Sequence, residues 1–105
     1  MEKIVGIKWD EIWPISNILN EVCHGFYVHN FENNIGAKKP IVVDLMDKIS
    51  EKENEDEIIL FLNDIELNLL KKSFEEVLRQ IEEWEFQTRI GVTIQEAKDI
   101  MRKIL

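Results

Sequence analysis

The sequence predicts an α+β fold dominated by helix. Two β-α-α-α units, related by a pseudo-two-fold, are expected to share one core and to pair their strands as a small antiparallel ribbon. Three observations lead there. First, Phe86-Gln-Thr-Arg-Ile-Gly91 restates Phe31-Glu-Asn-Asn-Ile-Gly36 at an offset of 55 residues. Glu2, Ile4, Glu11, Glu21, Val22, Phe31, Ile35, Gly36, Asp44, Met46, Lys48 and Ile49 all recur at that offset. Chance at this composition gives roughly four matches over such a span, so an internal repeat is the economical reading. Second, the stripe Ile12, Ile15, Leu19, Val22, Cys23 and Phe26 returns as Leu67, Leu70, Phe74, Val77, Leu78 and Ile81. Both have the spacing of one helical face. Third, each half is only about 50 residues, close to the smallest chain that sustains a core, so the halves are expected to pack on each other. The units are 2–50 and 57–105, the linker is 51–56, and residues 1–105 form a single domain.

The elements follow in order. Residues 3–9 alternate β-formers with Lys3 and Lys8 and read as a strand, with lysines suited to an edge. Asp10 is a candidate N-cap, Pro14 is expected in the first helical turn, and Gly25 is expected to close the helix near His24 in the left-handed conformation. Asn30 is positioned to cap a short turn carrying Phe31 and Ile35, which Gly36 ends. The next helix runs from Lys39 or Pro40 to about Glu51 with Ile41, Val42, Leu45, Met46 and Ile49 apolar. In the second unit, Ile58-Ile-Leu-Phe-Leu62 is apolar at every position, which predicts a strand covered on both faces. Asn63 with Glu66 makes a capping box for a helix to Ile81. Glu82 and Glu83 fall in a connection, Trp84 and Phe86 open a short turn, and Gly91 closes it. Thr93 with Glu96 caps the last helix, whose core positions are Ala97, Ile100, Met101 and Ile104.

Composition narrows the function. The 105 residues carry a net charge of −8. Nucleic acid and anionic membrane are poor partners for such a chain, because phosphate binding needs clustered Lys and Arg. No apolar run approaches the ~18 residues of a membrane span, and Met1-Glu-Lys-Ile-Val-Gly lacks the apolar core of a signal peptide. One cysteine allows no internal disulfide, so a cytoplasmic location is expected.

The candidate chemistry is sparse. Cys23, His24 and His29 match no standard metal-ligand spacing, and Cys23 lies on the core stripe, so no metal and no cofactor is expected. The two histidines are the remaining candidates for acid–base catalysis, but nothing in the sequence draws them together. Glu21 and Glu76 occupy matching places, either as a carboxylate pair or as partners of basic groups, with Arg89 the candidate for Glu76. Trp9 and Trp13, at i and i+4 among acidic neighbours, make a candidate contact pair.

Two segments carry a resemblance. Leu19-Asn-Glu-Val-Cys-His-Gly25 with Phe31, Ile35 and Gly36, and Trp84-Glu-Phe-Gln-Thr-Arg-Ile-Gly91 with Glu96, resemble a family of small bacterial proteins. That family bears a Leu-Asn-Glu-Val-x-x-Gly helix followed by Trp-Glu-Phe-x-Thr-Arg-x-Gly. Here the two parts are divided between the units, with Gln80 and Asn34 departing from the pattern. The resemblance implies an association with toxin–immunity loci.

The leading expectation is therefore a non-enzymatic immunity protein that neutralises a basic, nuclease-type toxin. Its expected contacts are Glu82, Glu83 and Glu85, then Asp44, Asp47 and the 51–57 acidic run, with Trp9 and Trp13. A homodimer joined through the strand Ile58–Leu62 is the alternative, with the chain otherwise a monomer. A small enzyme using His24 or His29 is the third reading.

Overall fold

A computed structural model describes residues 2–52 and 55–105. Strand β1 (Glu2–Lys8) leads directly into α1 (Trp9–Asn20), which widens into a π-helical turn (Glu21–Gly25). The short α2 (Phe31–Ile35) and then α3 (Lys39–Ser50) follow. Strand β2 (Glu57–Asn63), α4 (Asp64–Gln80), α5 (Glu83–Ile90) and α6 (Ile94–Ile104) complete the chain. The fold is α+β, mostly helix, with one two-stranded antiparallel sheet.

The sheet register sets Val5 opposite Leu60 and Ile4 opposite Phe61. Side chains alternate across a strand, so Val5, Ile7, Ile58, Leu60 and Leu62 turn inward and are buried. Ile4, Ile59 and Phe61 turn outward and are exposed. The expectation that β2 is covered on both faces is thus corrected: helices cover one face only.

Local chemistry explains the helix starts. Asn63 accepts from the Glu66 N–H (2.8 Å) while Glu66 accepts from the Asn63 N–H (2.9 Å), and Thr93 and Glu96 form the same reciprocal box. Helix α1 departs from expectation. It begins at Trp9, and Glu11 accepts the Lys8 N–H at 2.8 Å, so Asp10 is the second helical residue and not the cap. Pro14 consequently sits inside the helix, where its missing N–H leaves the Asp10 carbonyl without its helical donor.

Glycine has two roles. Gly36 (φ 92°) and Gly91 (φ 100°) end α2 and α5 in the left-handed region. Gly25 does not belong with them, against expectation. It closes the π turn with ordinary φ, and a Cβ there would collide with the Glu21 carboxylate and lie 3.1 Å from Arg89 Nη2. Its lack of a side chain makes room for an ion pair.

The buried apolar side chains form one contiguous cluster drawn from both halves, including Leu19, Ile35, Val42 and Ile49 with Ile58, Leu69, Val77, Phe86, Ile90 and Ile104. All four predicted core positions of α6 are buried. In the long helices Ile18 and Leu69 are fully buried although neither lies on the predicted stripe. Phe26, Leu67 and Leu78, which do, are only partly buried. Helix α1 packs against both α3 and α5, and α2 packs against α4. Two exposed-edge ion pairs tie the halves together: Lys48 to Glu66 at 3.1 Å and Lys103 to Glu11 at 2.7 Å.

Candidate partner-binding site

Helix α5 presents the acidic segment. The chain leaves α4 in extended conformation at Ile81 and Glu82, and Glu82 becomes the N-cap of α5. Glu83 and Glu85 lie in the first turn, where carboxylates are favoured by the helix dipole. Phe86 and Ile90, one turn apart, bury the inner face. Trp84 lies off that stripe and is 77% exposed. Glu82 and Glu83 are exposed, and their side chains have no hydrogen bond or ion pair among the described residues. Glu85 is half-buried and 3.4 Å from Arg89 Nη1. The result is one exposed indole set among three carboxylates on a helix whose other face is locked into the core.

The helix is held firmly. Asn17 on α1 donates to the Ile90 carbonyl at 2.8 Å. Arg89 makes a two-pronged contact with Glu21, Nη2 to Oε1 at 2.5 Å and Nε to Oε2 at 3.1 Å, and also donates to the Gly25 carbonyl at 3.2 Å. The Glu21 contacts, then Glu85, keep the Arg89 guanidinium more firmly protonated than usual, against the opposing effect of burial.

This corrects the expected pairing. Arg89 serves Glu21 across the two halves and not Glu76. Glu76 is buried, and it accepts locally from Arg79 and from Gln80 Nε2 (2.8 Å). Burial pushes the Glu76 carboxyl up, but the Gln80 and Arg79 hydrogen bonds and the Arg79 charge outweigh it and hold the carboxyl below its ordinary value. Gln80 also donates to the Tyr27 carbonyl at 3.0 Å, which fastens the 27–29 connection to α4. The two glutamates are structural ligands of separate networks.

The remaining candidates lie elsewhere. Asp44 and Asp47 are exposed on α3, and Trp9 and Trp13 are about half exposed on the first turns of α1. In the acidic run, residues 53 and 54 lie outside the described residues. Lys52 sits 3.9 Å from Glu55. His24 and His29 are exposed, while Cys23 is buried in the core. Burial raises the Cys23 thiol above its ordinary value, against a smaller lowering by Lys39. Among the described residues no three His, Cys, Asp or Glu side chains are grouped to hold a metal, and no helix is long and apolar enough to cross a membrane.

Trp84 is the residue that the sequence reading placed only as a turn-opener. The signal was present: it lies two residues before Phe86, off the buried stripe. A second feature went unread. A groove of about 420 Å³ between α4 and α6 is lined by Phe74, Met101 and the exposed Leu105, with Lys71, Glu75, Lys98 and Arg102 around them. Its exposed lining is mostly apolar, with three cations and one carboxylate beside it, and Arg102 pairs with Asp99 at 2.7 Å.

No family model, curated protein or solved structure matches this chain.

Proposed function

We propose that this chain is a non-enzymatic protein-binding module of the immunity type, cytoplasmic, that neutralises a basic, nuclease-type bacterial toxin through the first turn of α5. The observation that carries the reading is Trp84, 77% exposed between Glu82, Glu83 and Glu85. Tryptophans at the centre of an interface contribute much of its binding free energy, and flanking charges steer the encounter. A net charge of −8 extends that steering field over the whole molecule. In this reading the carboxylates occupy the cationic surface where a nuclease holds phosphate. Among the described residues the Glu82 and Glu83 side chains have no internal partner to give up on binding.

We infer also that the chain arose by duplication of a 55-residue unit. Three relations support this. Val5 faces Leu60, its own equivalent at that offset, which is where a two-fold through the ribbon would pass. The pairs Lys48–Glu66 and Lys103–Glu11 exchange under the same shift. The elements follow the same order twice. The units have diverged at their signature phenylalanines: Phe86 is 1% exposed, whereas Phe31 is half-buried with Lys39 Nζ 5.5 Å from its ring centre.

The test is a rescue assay. The product of the neighbouring gene is expressed alone and with this chain. Protection by the wild type, and its loss in a Glu82→Lys/Glu83→Lys/Trp84→Ala variant expressed at the same soluble level, is expected. Equal protection by the variant would remove α5 from the reading.

A further inference from the structure

We propose that two copies of this chain associate through the outer face of the β1–β2 sheet, independently of the acidic turn on α5. Ile4 is 67% exposed, Ile59 54% and Phe61 51%, and the register makes them neighbours: Ile4 is opposite Phe61, and Ile59 is opposite Gly6. Three large apolar side chains are thus gathered on one small surface. Scattered exposed hydrophobics need no explanation, but a contiguous group on a sheet face does. Strand β2 is apolar at five successive positions, the pattern of a strand covered on both sides. Helices supply one cover and a second copy supplies the other.

The choice of a second copy rests on complementarity. The outward positions are Glu2, Ile4, Gly6 and Lys8 on β1, facing Asn63, Phe61, Ile59 and Glu57 on β2. Two such faces can stack about a two-fold in two ways. With the axis along the strands, β1 lies over the partner's β2. Lys8 then meets Glu57, Ile4 meets Phe61, Gly6 meets Ile59 and Glu2 meets Asn63. With the axis across the strands, β1 lies over β1, so Lys8 meets Glu2 and Ile4 meets Gly6. Phe61 then meets Ile59 and Glu57 meets Asn63. Neither arrangement sets like charges together, and each places Lys8 against a carboxylate. Each also seats a bulky side chain over Gly6, where an added Cβ would find nothing within 4 Å. A closed, isologous pair follows from such a self-complementary patch.

This differs from pairing along the free edge of β2. Lys48 Nζ donates to the Phe61 carbonyl there, and a lysine against strand backbone is a device that discourages edge pairing. The open face carries the exposed Ile4, Ile59 and Phe61 instead. The patch is smaller than a standard interface, so a dissociation constant on the order of tens of micromolar is expected.

Sedimentation equilibrium of the full chain from about 5 to about 500 µM brackets that range. The wild-type mean mass should climb from 12.5 kDa toward twice that value. Phe61→Lys should remain at 12.5 kDa throughout, and Ile59→Thr should weaken association about tenfold. Both side chains point to solvent, so circular dichroism and the unfolding midpoint should report folded variants. Lys98→Glu, remote on the α6 rim, should behave as wild type. A mass of 12.5 kDa for the wild type at every concentration would overturn the proposal. So would a dimer that survives both face substitutions.

Discussion

Arg89 reaches across 68 residues of sequence to hold Glu21, with Nη2 2.5 Å from Oε1. The pair joins α5 to the π turn after α1, and Gly25 leaves the space through which it passes. It also fixes the helix on which Trp84 and its glutamates stand. Removing one partner of a largely buried pair is costly because the other charge stays desolvated. Arg89→Met should therefore lower stability by about 2–3 kcal/mol, measured by urea unfolding. The double variant Glu21→Gln/Arg89→Met should lose less than Arg89→Met alone. An equal loss in both would mean that packing of the long Arg89 stem, and not charge, is what matters.

Gly25→Ala tests the same contact from the backbone side. The methyl group has no place beside the Glu21 carboxylate, so the substitution should cost about 1–3 kcal/mol. In a Glu21→Ala background the cost should fall to within about 0.5 kcal/mol of zero, since the colliding group is gone. A cost that stays the same in both backgrounds would assign it to the π-turn backbone.

Acid stability follows from Glu11 and Glu76. For Glu11, burial acts to raise the carboxyl, but the Lys103 hydrogen bond, the Lys8 N–H and the charges of both lysines together hold it below its ordinary value. Glu76 is lowered likewise. A folded-state value below the unfolded one means that the unfolded chain binds more protons in that window, so stability rises with pH there. The contribution is complete above the ordinary carboxylate range and is lost as pH falls through the lowered folded values. Melting temperature should therefore drop below about pH 4.5, and Glu76→Gln should flatten that limb of the profile. An unchanged acid limb would exclude Glu76 as a contributor.

Leu69 is wholly buried although it stands off the six-residue stripe. Leu69→Ala should cost about 2–4 kcal/mol by thermal or urea unfolding. Leu67→Ala, at a partly buried position, should cost about half as much or less.

What the sequence disclosed divides by range. Caps built from residues three apart, Asn63 with Glu66 and Thr93 with Glu96, were legible because both partners lie on the page together. So were Gly36 and Gly91, and the core face of α6. The start of α1 was misread because Asp10 is a good cap by type, while Glu11 captures the N–H of Lys8 at the end of β1. The partner of Arg89 was misassigned because a choice between Glu21 and Glu76 is settled by packing between halves. Ile18 and Leu69 were missed because neighbours on more than one side widen the buried face of each long helix. In the candidate site, the carboxylates were visible as charge. The position of Trp84 off the Phe86 stripe was legible too, and burial of Phe86 and Ile90 fixes the rotation of α5 that exposes it.

The most direct measurement is the association rate constant with the toxin identified by rescue, at about 20 mM and about 500 mM salt. The wild-type rate should fall steeply with salt. Glu82→Lys/Glu83→Lys should be at least about tenfold slower at low salt, with the difference largely gone at high salt. Identical rates for the two proteins at low salt would contradict the account.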